Sequence, residues 1–77
     1  MNTARRNKLN KLVKSLDLVM SEIENILEEE EEVFDNIPEN LQSSERAEKS
    51  DEAIQSMHDI VDMIQDSIDA IEDITSS

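Results

Sequence analysis

The stretch from Leu9 to Ile37, LNKLVKSLDLVMSEIENILEEEEEVFDNI, decides how the chain folds. Its apolar residues return at steps of three and four for about four heptads, the repeat of one face of an α-helix. Leu9, Leu16, Ile23 and Ile37 run down the middle of that face. Leu12, Val19, Ile26 and Val33 lie along one side, and Val13, Met20, Leu27 and Phe34 along the other. A stripe this wide exceeds the narrow seam of a simple coiled pair and calls for more than one helical neighbour.

A second stretch of the same character follows. Ala47, Ile54, Val61 and Ile68 alternate with Ser50, Met57, Ile64 and Ile71 at heptad spacing, and Ala53, Ile60 and Ile74 lie along one flank. The pattern predicts helices over about 4–36 and 44–75 in one domain spanning 1–77, with a connection at 37–43. Asn2 or Thr3 suits the first N-cap, and Ser43 or Ser44 the second. Pro38 ends the first helix, because the residue before a proline avoids the α region. Pro38 to Gln42 suits a single helical turn with proline at its first position, leaving Leu41 to plug the end of the core. Two long helices joined this briefly fold back as an antiparallel hairpin. The fold class is therefore all-α, a coiled-coil-like two-helix hairpin that dimerises into a four-helix bundle.

Two registers align the seams. If facing residues sum to 84, Val13 meets Ile71 and Leu27 meets Met57. If they sum to 80, Glu30 faces Ser50, a kinder home for a glutamate within the apolar stripe. The first is favoured, on the reading that it alone places the flank Leu12, Val19, Ile26 and Val33 on the same edge as Ala53, Ile60 and Ile74. A second copy could then bury that shared edge.

Composition narrows the alternatives. Cysteine and glycine are absent, Pro38 is the one proline and Phe34 the one aromatic. Disulfides and thiolate metal sites are excluded, and a β-sandwich or barrel lacks its usual residues. High charge with moderate hydrophobicity also suits disorder, but here the apolar residues are periodic rather than scattered. No apolar run approaches the ~20 residues of a membrane span, and Met1 to Leu9 does not read as a signal peptide, so a cytoplasmic protein is expected.

The net charge of −13 is unevenly distributed. Residues 1–16 carry Arg5, Arg6, Lys8, Lys11 and Lys14 and no acid, while residues 17–77 carry all twenty acids against Arg46 and Lys49. In a hairpin the basic start lies beside the acidic end of the second helix. Direct binding to nucleic acid or to an anionic membrane is not expected of such a chain; a protein with a basic surface is.

Two acidic groups stand out as candidate partner-binding sites. Asp59, Asp62, Asp66, Asp69 and Asp73 fall at steps of three and four, in line along one solvent face, a row that roughly resembles DNA phosphates. Glu28, Glu29, Glu31 and Glu32 form the other, around Glu30. A solvated face that keeps a small protein soluble is the plainer account of both. Leu12, Val19, Ile26, Val33, Ala53, Ile60 and Ile74 form the candidate self-association edge. Leu18 and Met63 sit off the seams as further contact candidates, while Met20 and Met57 belong to the core. His58 stands alone at a polar edge, with no second histidine, cysteine or paired nucleophile to make a catalytic or metal constellation. A calcium loop lacks its alternating ligands and turn glycine. No catalytic residue, metal or cofactor is therefore expected, and the chain reads as a non-enzyme.

The segment FDNIPENLQSSER, Phe34 to Arg46, resembles the connection of a group of short acidic proteins encoded by phages, prophages and mobile elements of Gram-positive bacteria. Those proteins similarly join a basic first helix to an acidic second helix of Ile/Ala/Leu heptads. The resemblance implies an accessory protein in the bacterial host cytoplasm and carries no established activity. Together with the charge pattern it points to a protein-binding module, in its sharpest form an inhibitor of a nucleic-acid-processing or defence enzyme by phosphate mimicry. The alternative is a structural or assembly coiled-coil subunit that docks partner helices through its apolar edge.

Overall fold

A computed structural model describing residues 1–77 is an antiparallel hairpin of two long helices, about 59 × 15 × 13 Å. Helix α1 spans Thr3–Asp35, a short 3-10 turn spans Glu39–Leu41, and helix α2 spans Glu45–Thr75. The expected helices agree with these bounds to within one residue.

Local chemistry sets the ends. The Asn2 side-chain oxygen accepts from the Arg5 N–H at 2.8 Å, and the Ser44 hydroxyl oxygen accepts from the Ala47 N–H at 3.3 Å. Each satisfies a donor that the first helical turn leaves without a partner. Glu45 and Glu48 in the first turn of α2 favour its dipole, whereas α1 has no acid in its first turn and no base in its last. Burial against α2 has to hold α1 in place of its own termini.

The reversal is built from backbone hydrogen bonds. Leu41 N–H donates to the Pro38 carbonyl at 2.8 Å and Ser44 N–H to the Leu41 carbonyl at 3.1 Å, and the Gln42 side-chain Nε2 adds a bond to the Ile37 carbonyl at 3.3 Å. No residue takes a positive φ, so the turn needs no glycine. Pro38 precedes the short turn as its N-cap rather than standing at its first position. Leu41 does not plug the core: it is 50% exposed, and Ile37 is the half-buried residue there.

The core is a single seam. Leu27, Ala47, Ile54 and Ile68 are buried, and Leu9, Val13, Leu16, Met20, Ile23, Met57, Val61, Ile64 and Ile71 are half-buried along the same line. Three polar side chains share that line. Ser50 is buried and donates its hydroxyl to a Glu30 carboxylate oxygen at 2.6 Å. Arg6, half-buried one heptad before Val13, donates through Nη2 to the Ser77 carbonyl at 2.6 Å, where the core meets the chain ends.

The Glu30–Ser50 bond corrects the favoured register. Facing residues that sum to 84 would set Ser50 against Phe34, about one helical turn away from Glu30. The observed pairing is the one that sums to 80. Its physical reason is the carboxylate: in the other register Glu30 faces Ile54, and a charged acceptor inside an apolar seam loses water with no donor to replace it.

Nor do the two apolar flanks part in the observed register. Val33 and Arg46 line one crevice together with Glu30 and Ser50. Arg46 lies seven residues before Ala53, fourteen before Ile60 and twenty-eight before Ile74, in the same heptad position. The two apolar flanks therefore share an edge in the observed register. Which edge a flank takes depends on its side of the seam in an antiparallel pair, not on sliding the helices past each other.

Candidate functional site

The seam divides the hairpin surface into two unlike edges. Residues just before a seam position, Leu12, Val19, Ile26 and Val33 on α1 and Ala53, Ile60 and Ile74 on α2, form the apolar edge. They remain uncovered: Leu12 and Ile26 are both 55% exposed, and the others are exposed as well. Met63, 59% exposed, lies one turn beyond Ile60 and extends this edge. Leu18, at 62% exposure, lies on the back of α1, away from it.

Residues on the other side of the seam form a polar edge. Asn10, Asp17, Glu24 and Glu31 on α1 accompany Asp51, His58, Gln65 and Glu72 on α2. Asn10, Lys14, Asp17, Glu72 and Asp73 line one shallow surface, so the basic start of α1 does lie beside the acidic end of α2. Proximity does not become contact. The one salt bridge in the hairpin joins Glu45 to Lys49 within α2 at 3.2 Å, and no ion pair joins the two helices. Exposed lysines on long, mobile stems gain little by being fixed against a carboxylate in water.

The aspartate row falls as its spacing requires. Asp59, Asp62, Asp66, Asp69 and Asp73 are all exposed on the side of α2 turned away from α1. None is in a salt bridge, and Asp69 alone accepts a hydrogen bond at its carboxylate, from the Gln65 side-chain amide at 3.0 Å. Glu28, Glu31 and Glu32, with Asp35 and Asn36, line a separate concavity at the connection end of α1, and Glu29 is exposed on the neighbouring face. The two acidic groups do not converge, because outward faces of paired helices point in opposite directions and the groups sit toward opposite ends of the hairpin.

Arg6 was legible only as one of the five bases at the start of the chain, although its place one heptad before Val13 marks it as a seam residue. Its long side chain closes the end of the core that Leu41 leaves open at the other. His58 is exposed on the polar edge. No three of the Asp, Glu and His side chains are gathered as metal ligands would be. Neither helix is long and apolar enough to cross a membrane.

Comparisons with protein families, curated proteins and solved structures return no match to this chain, so its geometry has to speak for itself.

Proposed function

We propose that this chain is a non-enzymatic, acidic protein-binding module of a phage or mobile element, acting in the bacterial host cytoplasm on a protein with a basic surface. Its sharpest form is an inhibitor that occupies the nucleic-acid groove of a processing or defence enzyme. The carrying observation is the row of five aspartates on the outer face of α2, exposed and free of basic partners. Side chains three and four apart on a helix stand about 5–6 Å from one another. Such a row can meet lysines and arginines that otherwise grip successive phosphates. Keeping like charges at that spacing costs a helix about 0.2–0.5 kcal/mol per pair, a cost that binding a basic groove would offset.

The test is a pull-down from host lysate at low and high salt, repeated with Asp59, Asp62, Asp66, Asp69 and Asp73 changed to Asn. Mimicry predicts a captured nucleic-acid enzyme that is lost with salt and lost with the Asn variant, since ion pairs to a basic groove are screened. A complex that survives about 1 M salt unchanged, where screening acts within about 3 Å, removes mimicry as its cause.

The hairpin also pairs with itself in this reading, through the apolar edge, to give a four-helix bundle. The exposure of Leu12, Ile26 and Ile60 favours that, and it favours equally a second reading in which partner helices dock there to build an assembly. The second reading predicts damage from Ile26→Asp or Ile60→Asp and little effect from neutralising the aspartates.

A further inference from the structure

We infer that the apolar edge is covered by a second copy of this chain lying end for end, the connection of each beside the chain termini of the other, about a two-fold axis crossing the edge at Val19 and Ile60. This rests on the self-association proposed above and specifies its polarity.

Area supports a cover of this size. A compact monomer of 8.8 kDa exposes about 4,800 Å², whereas the hairpin exposes 5793 Å². The excess, on the order of 1,000 Å², is comparable to the ~800 Å² that each partner contributes to a stable interface.

Composition supports a protein cover over solvent. Helix α2 carries ten acids, yet none falls on the apolar edge or in the adjoining outward row that contains Lys49, Ser56, Met63 and Ala70. A face kept free of acids on so acidic a helix is suited to burial, because an unpaired buried carboxylate is costly.

The centre of the edge supports a two-fold axis. Val19 is the middle residue of α1 and Ile60 the middle residue of α2. Leu12 and Ile26 stand seven residues to either side of the first, and Ala53 and Ser67 seven to either side of the second. A rotation about that level brings α1 against its own copy, and α2 against its own, each pair antiparallel.

Charge selects this arrangement over the one with both connections at the same end. Residues 28–49 carry nine acids against two bases, whereas residues 3–14 and 66–77 together carry five bases against four acids. Same-end packing places two strongly acidic connections side by side. End-for-end packing sets each beside a nearly neutral end and brings Lys8 near the partner's Glu29, since the two lie eleven and ten residues from Val19. Like charges brought together at an interface are selected against more strongly than unlike charges are rewarded.

The chain has no cysteine, so single-cysteine variants carry one thiol each. End-for-end packing predicts that Val19→Cys alone and Ile60→Cys alone each give a covalent dimer with a short thiol-reactive crosslinker. It predicts none from Leu12→Cys alone, but a product when Leu12→Cys is mixed with Ile26→Cys. Same-end packing places α1 against the partner's α2, so a product only from Val19→Cys mixed with Ile60→Cys overturns the proposal. Sedimentation of the unmodified chain separates the two levels of failure. A monomer at micromolar concentration overturns the self-association itself, whereas a dimer that lacks the Val19→Cys product overturns only its polarity.

Discussion

Each edge of this hairpin lies one step in sequence from the seam, on opposite sides of it, and the two differ entirely in chemistry. Residues just before the seam positions, from Leu12 to Val33 and from Ala53 to Ile74, are apolar, Ser67 excepted, and uncovered; the row on the other side, from Asn10 to Glu31 and from Asp51 to Glu72, is polar and mostly acidic. Both flank the same core and lie on the same two helices. The contrast teaches that the seam alone does not account for the pattern. Two helices in isolation need only a narrow apolar line, and a chain built solely for that would carry polar residues on both sides of it. The acidic edge is suited to solvent, and the apolar edge to burial.

The largest effect is expected from breaking the apolar edge. Ile26→Asp and Ile60→Asp each place a charge twice in the proposed dimer, so each should weaken association at least a hundredfold, about 2.7 kcal/mol. Circular dichroism should show the isolated chain losing stability with its partner. Sedimentation equilibrium measures the association, and an unchanged dimer would show that the edge is not the interface.

Next is the seam that separates the edges. Ile68 is the most deeply buried large side chain, at 2% exposure. Ile68→Ala should cost about 2–5 kcal/mol of unfolding free energy, read from chemical denaturation. A smaller loss would indicate that the helices close over the gap.

The polar pair inside the seam should have a smaller effect. Removing either partner of the 2.6 Å Glu30–Ser50 bond leaves the other group in the seam with only water to satisfy it. Ser50→Ala is expected to cost about 1 kcal/mol, and a double-mutant cycle with Glu30→Ala should show a coupling of about 0.5–3 kcal/mol. Additive effects would mean that the observed register does not depend on this bond.

The smallest effects belong to the acidic surfaces. Changing Asp62 and Asp66 to Asn relieves like-charge neighbours on one helix face and should raise stability by a few tenths of a kcal/mol, less at high salt. Lys49→Ala, which removes an exposed ion pair, should change stability by less than about 0.5 kcal/mol. Thermal melts at two ionic strengths distinguish these from any loss of partner binding, which should be far larger if the aspartate row is the binding face.

Much of the fold was legible because helix periodicity and caps are local properties. The steps of Leu9 to Ile37 and of Ala47 to Ile74, with Asn2, Ser44 and Pro38 as boundaries, specify two helices and a reversal without reference to anything distant. Leu41 departs from its expected place because the position of one side chain beyond a turn depends on how the 3-10 turn sits, which no period encodes. Arg6 reads in sequence as one member of a basic run, which masks its seam position. The two acidic groups were legible as charge but not as separate surfaces, because the face and end each occupies follow from how the helices pair.

The sequence by itself determined that there are two amphipathic helices, that they reverse at Pro38, and that each carries an apolar flank wider than one seam needs. Tertiary structure alone decided the register, because sliding one helix by a turn leaves apolar residues facing apolar residues and changes the hydrophobic contribution little. What it does change is the partner of one carboxylate. Half-buried Glu30 loses part of its water to the seam, and the hydroxyl of Ser50 is the donor that the seam supplies.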